Sequence, residues 1–314
     1  MNELVALDIA EQADAIEESL RGGGSTVAAA RQLLRDSSSI RLLALGSSRH
    51  AAVYGSEIIG AALAKPVVVA PAPGWGTTEV PWGEGEVAVA VTQSGHTPAL
   101  IAAVRAARSA GAPVIAVVNA DDSPLHELAD IVVSLGVGPE RVVAATKSVT
   151  AQHLALRALG ADLDPTEARA AVNAALTVDI APAVQGACPR AVVCAGMAGE
   201  WVAAELALKF SEMLGRFVIG ESLVEFLHGP LAAEGSVLAL VPEGDPNLQP
   251  LRLRGGTIVG SDSGVDFEVP ATGDPTLDPV VRLIVGQRVV LAWAVHLGID
   301  ADASRGLSKV TISR

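Results

Sequence analysis

Short apolar runs alternate with longer segments of helical period along most of this chain. Ile40–Leu45, Lys65–Ala70, Glu86–Val91, Val114–Val118 and Ile131–Ser134 have strand length and almost no polar face. That is the pattern of parallel strands covered on both sides. Between them the periodicity predicts helices from Gly46-Ser47-Ser48 through about Ala64, over Pro98–Ala110, and over about Ser148–Ala158. Upstream, residues 3 to 21 read as one amphipathic helix ended by Gly22-Gly23-Gly24, and a second helix spans about Thr26–Arg35. A helical connector is predicted over Pro165–Ala183, after which the pattern restarts. Arg190–Ala195 is a strand, Gly196–Gly199 a small-residue turn and Trp201–Leu214 a helix. Strands follow at Arg216–Ile219, Val237–Val241, Thr257–Val259 and Asp266–Val269, and the helix Val280–Leu297 closes the series. The order strand, small turn, helix thus occurs in both RLLALGSSRHAAVYGSEIIGAA and RAVVCAGMAGEWVAAELALKFSE, as a diverged internal duplication would give. The class is α/β, with parallel sheets flanked by helices.

The helix Trp201–Leu214 departs from the usual surface pattern. Glu205, Lys209 and Glu212 fall on one narrow stripe, and almost everything around them is apolar or small. A surface helix carries a broad polar face, so a thin charged stripe points to a helix buried on most sides. The plainer alternative is a Glu–Lys pair on a solvent strip, worth a few tenths of a kcal/mol. His228-Gly229-Pro230, just downstream, adds a second chemistry-bearing feature.

Composition narrows the function. The 314 residues are 50% hydrophobic and only 3% aromatic, so the core is filled by Ala, Val, Leu and Ile. A net charge of −13 without a basic patch argues against nucleic-acid binding. An anionic small substrate would need a local site built from backbone and hydroxyl donors. Cys188 and Cys194 fit neither a metal spacing nor a disulfide framework, and no metal or cofactor is expected. No signal-peptide pattern opens the chain and no apolar span of about 18 residues interrupts it, so a soluble cytoplasmic protein without a membrane partner is expected.

Two strand-to-helix turns are rich in hydroxyls: Gly46-Ser47-Ser48 and Thr92-Gln93-Ser94-Gly95-His96-Thr97. Open parallel sheets bind ligands beyond the C-terminal ends of their strands, where helix N-termini offer N–H donors to an anion. The alternative is that these residues are ordinary N-caps, which favour Ser and Thr. There is no G-x-G-x-x-G and no Walker lysine, so nucleotide binding is not indicated.

The segments ALGSSRHAA (44–52), TQSGHTPALIAAVRAARSAGA (92–112), VAATKSVTAQ (143–152), ELALKFSE (205–212), EFLHGPLA (225–232) and RGLSKVT (305–311) resemble the double sugar-isomerase (SIS) domain family. The likeness is strongest to the isomerase half of glucosamine-6-phosphate synthases, and IAEQADAIEESL (9–20) looks like the helix that starts that half. The resemblance implies two flavodoxin-like SIS units, each with a parallel five-stranded sheet. Residues 1–24 would be an N-terminal helix, 25–164 a phosphate-binding SIS domain and 165–184 a helical connector. Residues 185–299 would be the SIS domain bearing the catalytic helix, and 300–314 a tail over the active site. It further implies a sugar phosphate held by Ser47, Ser48, Gln93, Ser94 and Thr97, with Gly46, Thr92, Val143, Ala145 and Glu205 as further contact candidates. Glu212 would move a proton between C1 and C2, with Lys209 beside it. His228, donated across a homodimer interface, would help open the ring, and Lys309 would form an imine with the ketose. A base in mostly apolar surroundings is expected to have its pKa raised toward neutrality, as that task requires.

Two departures bear on the reaction. His96 stands on the rim of the phosphate turn, and Ala145 replaces a serine that contacts sugar in the synthases. No glutaminase segment precedes the isomerase half, so deamination or isomerisation is expected before synthesis from glutamine. The alternatives are a non-catalytic sugar-phosphate sensor and an isomerase or deglycase for a fructosamine or tagatose phosphate.

Overall fold

The computed structural model describes residues 1–70, 81–194, 196, 199–241, 245, 247–252, 257–260, 266–303 and 305–308. Lys309, most of the loop Pro71–Gly83 and part of the turn Gly196–Gly199 lie outside the described residues.

Ten strands and twelve helices are described: α1 (Glu3–Ala10), α2 (Gln12–Gly22), α3 (Gly24–Asp36), β1 (Ser39–Leu43), α4 (Ser47–Leu63), β2 (Val67–Val69) and β3 (Glu86–Thr92) come first. Then follow α5 (Pro98–Ser109), β4 (Val114–Val118), α6 (Leu125–Leu128), β5 (Ile131–Ser134), α7 (Lys147–Gly160) and α8 (Pro165–Thr177). The remainder comprises β6 (Ala191–Cys194), α9 (Gly199–Leu214), β7 (Ile219–Ser222), α10 (Leu223–His228), β8 (Val237–Leu240), α11 (Leu248–Arg252), β9 (Thr257–Gly260), β10 (Phe267–Glu268) and α12 (Asp278–His296).

The strands form two all-parallel five-stranded sheets, β2-β1-β3-β4-β5 and β10-β9-β8-β6-β7. Read from its own first strand, each sheet has the order 2-1-3-4-5, the flavodoxin-like order. The duplication suggested by the sequence is therefore present strand for strand. In each sheet the chain leaves its first strand to one side and returns on the other, so a topological switch point lies between β1 and β3, and another between β6 and β8.

The chain makes two compact units. One holds Asp14–Glu140, Lys147–Ala168 and Leu307–Arg314; the other holds Met1–Ala13, Arg141–Thr146 and Arg169–Gly306. In the first, β3 and β4 are buried at every position, which is why their sequences carry no polar alternation. The apolar face of α5 (Leu100, Val104, Ala107) packs with Ala88, Ala90, Ala116 and Val118 of these strands. In the second, α9 and α12 pack together beside the sheet. Among the described residues α12 alone is long and apolar enough to cross a membrane, but 67% of its apolar window is buried within the protein. That is the burial of a core helix.

Three expectations are corrected. The N-terminal helix is interrupted at Glu11, beside which the Gln12 side-chain amide donates to the Ile9 carbonyl (3.2 Å). α2 ends at Gly22, within the glycine triplet as expected, but α3 starts earlier than expected, at Gly24 and not at Thr26. The strand expected at Arg216–Ile219 lies at Ile219–Ser222, in register with Ala191–Cys194. Gly215, at φ +65, ends α9, and Arg216–Val218 serve as the link. The short helices α6, α10 and α11 carry too few turns to show a period in the sequence.

Candidate active site

The hydroxyl turns leave the C-terminal ends of β1 and β3, which are directly hydrogen-bonded neighbours (Leu42 opposite Val89, Leu43 opposite Ala90). They thus sit together at the switch point of one sheet, where such folds place ligands. Neither turn is a conventional cap. The N-cap position of α4 is Gly46, which has no side chain, so Ser47 and Ser48 already lie in the first helical turn. Gly46 has φ +57 and ψ −138, a conformation for which glycine is suited. The N-cap of α5 is Thr97, whose hydroxyl makes no capping bond.

The second turn is shaped by its own hydroxyls acting as acceptors. Thr92 Oγ1 accepts from the Gly95 N–H (3.1 Å) and Ser94 Oγ accepts from the His96 N–H (3.2 Å). The His96 Nδ1 lies 2.7 Å from the Ser94 carbonyl, which fixes its proton on that nitrogen. A hydroxyl that accepts still has its own O–H to donate. Ser94 and Thr92 therefore keep donors for an anion while they hold the loop. Ser48 is buried, and Ser47, Gln93, Ser94 and Thr97 are half-buried. Gly95 has φ +67, and a Cβ there would lie 1.8 Å from Ser123 Oγ. Glycine is thus required twice over, by backbone and by space.

Sequence reasoning passed over Asn119. Its backbone N–H reaches the Gln93 carbonyl (3.3 Å), while its side chain donates to Gly138 O (2.8 Å) and accepts from Val137 N–H (3.1 Å). It ties the second turn to the chain beyond β5. The available signal was a lone Asn at the C-terminal end of an apolar strand.

In the other unit, α9 is built from good helix formers, and Ala, Leu, Phe and Met positions bury it in the core. The expected stripe is an ion triad. Lys209 Nζ lies 3.2 Å from Glu205 Oε1 and 2.5 Å from Glu212 Oε2. Lys209 and Glu205 side chains are 0% exposed and that of Glu212 15%, so the solvent-strip alternative fails and Glu212 is the end of the triad that reaches the surface. Burial alone would lower the Lys209 pKa, but the charges of Glu205 and then Glu212, with hydrogen bonds to both, hold it above the ordinary lysine range. Lys209 is thus a fixed ammonium. Glu212 meets that ammonium directly, with Lys209 beside it as the stripe predicts.

His228 ends α10 and is exposed; it has no hydrogen-bond partner among the described residues. Phe217 (102% exposed), Ile219 and Val224 are large apolar residues left in solvent between α9 and His228, and Ile219 lies on the edge strand β7. Val143 and Ala145 are half-buried positions between buried Val142, Ala144 and Thr146.

These observations can be set against known proteins. Residues 33–161 match the model of the SIS domain. The chain carries a SIS domain over those residues. This SIS-domain chain is 30% identical over 317 residues to a glutamine–fructose-6-phosphate aminotransferase (isomerizing) of Halobacterium salinarum, matching 88% of the chain and 52% of that relative. It spans about half the length of the curated relatives it matches. Its fold is that of the C-terminal domain of glucosamine-fructose-6-phosphate aminotransferase from Francisella tularensis (TM-score 0.80, 23% identity, 96% of this chain and 99% of that one). It is also that of a glucosamine-6-phosphate deaminase from Thermotoga maritima (TM-score 0.73, 18% identity, 97% and 98%).

Proposed function

We propose that this SIS-domain protein is a phosphosugar isomerase or deaminase that interconverts an aldose and a ketose 6-phosphate, with glucosamine 6-phosphate as the first candidate substrate. The buried Glu205–Lys209–Glu212 triad carries the reading, because it holds one partly accessible carboxylate against a fixed ammonium. Ser47, Ser48, Gln93, Ser94 and Thr97 hold the phosphate through uncharged donors and the first-turn N–H groups of α4 and α5. Glu212 takes the proton from one carbon of the C1–C2 pair and returns it to the other. The electron pair passes through an enediol or enamine, and the Lys209 ammonium, held in place by Glu205, steadies the charge that develops. With an amino sugar, water then replaces the nitrogen, giving the ketose phosphate and ammonia. Lys309 is assigned the imine with the ketose carbonyl.

His228 is assigned ring opening in the site of a partner subunit. Its exposure, and the exposed Phe217, Ile219 and Val224 close to it in sequence, support a homodimer through this face.

The test is incubation of the purified chain with glucosamine 6-phosphate, following ammonia and fructose 6-phosphate. Turnover that falls by about a thousandfold or more in Glu212→Gln is expected for loss of a proton-transfer group. Equal activity in that variant would sink the mechanism. Tight binding of the sugar phosphate without reaction would favour a sensor.

A further inference from the structure

The segment Arg141–Thr146 carries Val143 and Ala145, has no helix or strand of its own, and belongs to the same compact unit as Met1–Ala13 and α12. It is pinned at both ends by polar side chains. At its start, the Arg141 N–H donates to Asp8 Oδ2 (2.7 Å) and the guanidinium donates to Asp8 Oδ1. The same guanidinium forks onto Glu11, with Nη1 to Oε1 at 2.7 Å and Nη2 to Oε2 at 3.0 Å. At its end, the Thr146 carbonyl accepts from Gln287 Nε2 (3.3 Å), and Gln287 Oε1 accepts from Gln12 Nε2 (3.1 Å). Asp8, Glu11 and Gln12 are spaced i, i+3, i+4, so the N-terminal stretch supplies both anchors. That stretch is itself fixed: Asp302 accepts from the Leu4 and Val5 N–H groups (3.2 and 3.0 Å), and Asn2 exchanges hydrogen bonds with Ile299 and Ala301 (3.1 and 2.6 Å).

Asp8, Gln12 and Gln287 are 0% exposed. Burying a carboxylate and two amides is costly relative to apolar packing, which would hold a helix against a core as firmly. Directed bonds to named backbone atoms do something apolar contacts do not: they set the position of residues 141 and 146. We infer that Asp8, with Arg141 and the Gln12–Gln287 relay, positions the segment that presents Val143 and Ala145 to the sugar. Asp8 and Gln12 are thus positioning residues for substrate binding, remote from proton transfer. The inference rests on the reading of Val143 and Ala145 as sugar contacts.

The full chain is assayed as native protein, Asp8→Asn, Arg141→Gln and Arg141→Lys. Arg141→Lys keeps a cation beside buried Asp8, so it keeps the test open even where Asp8→Asn or Arg141→Gln does not fold. The KM for glucosamine 6-phosphate is expected to rise about fivefold to tenfold in Asp8→Asn and Arg141→Gln, and less in Arg141→Lys, with kcat within about twofold. Competitive inhibition by inorganic phosphate should stay unchanged, since the phosphate turns are not touched. Unchanged KM in the folded variants, or a parallel loss of phosphate inhibition, would overturn the inference. Amide hydrogen exchange separates it from the functional reading. Val142–Thr146 should exchange about tenfold faster in the variants while α9 does not change, whether or not the sugar phosphate turns over. Equal exchange in native and variant chains would refute the clamp, whereas absence of turnover in the native chain would refute the substrate.

Discussion

At the residue scale, the decisive feature is a lysine with no exposed surface between two carboxylates. Its folded pKa lies above its unfolded value, so its stabilising contribution is complete below about pH 10.5 and is lost only as pH rises through the folded value. From pH 6 to 9 this group should therefore give no slope to unfolding free energy. Lys209→Met leaves the two carboxylates buried without a cation and should cost about 3–5 kcal/mol at pH 7 by urea unfolding. The loss should shrink as pH falls toward the carboxylate range, where protonation removes the repulsion. A loss independent of pH would show that the pair is not ionised as described. Gly95 offers a steric counterpart. Gly95→Ala should destabilise by about 1–3 kcal/mol, and Ser123→Ala should not rescue it, because the Ser123 Cβ itself lies 2.4 Å from the added carbon. Rescue by Ser123→Ala would place the strain elsewhere.

At the element scale, the strands were the most legible part. Val114–Val118 and Ile131–Ser134 are β4 and β5 residue for residue, since a strand buried between helices writes itself as an apolar run bounded by turn residues. β7 was not legible: an edge strand pairs on one side only, so Arg-Phe-Val-Ile was a better apolar run than the Ile-Gly-Glu-Ser that pairs with β6. The triad on α9 was legible as a stripe, but its burial was not, because periodicity names a face without saying what covers it. The turns before α4 and α5 carry a prediction at this scale. Their donors are neutral, so Ser48→Ala and Ser94→Ala should each raise KM by about tenfold through loss of one bond to a charged group, with kcat much less affected. If kcat fell with KM constant, the turns would be acting on the chemistry and not on the phosphate.

At the scale of the whole molecule, Phe217 fully in solvent, beside Ile219 on the edge strand and ahead of exposed His228, is unusual for a finished surface. On the homodimer proposed above, Phe217→Asp should shift the protein from dimer to monomer in sedimentation and abolish turnover together. Mixing the inactive Glu212→Gln and His228→Ala chains under subunit exchange should restore about a quarter of native activity, since half the dimers are mixed and one of their two sites is intact. No recovery would place His228 in its own subunit's site. The sequence by itself determined the α/β class, the repeat, most of the strands, the hydroxyl turns and the charged stripe, because each is written in local period or composition. Only the tertiary structure decided that β1 and β3 lie side by side, and that Gly46, not a serine, occupies the N-cap of α4. Only it buried Lys209 between its carboxylates, and clamped Arg141 to Asp8 across 133 residues of chain. Those are pairings between segments far apart in sequence, and no local pattern encodes which partner a buried charge will meet.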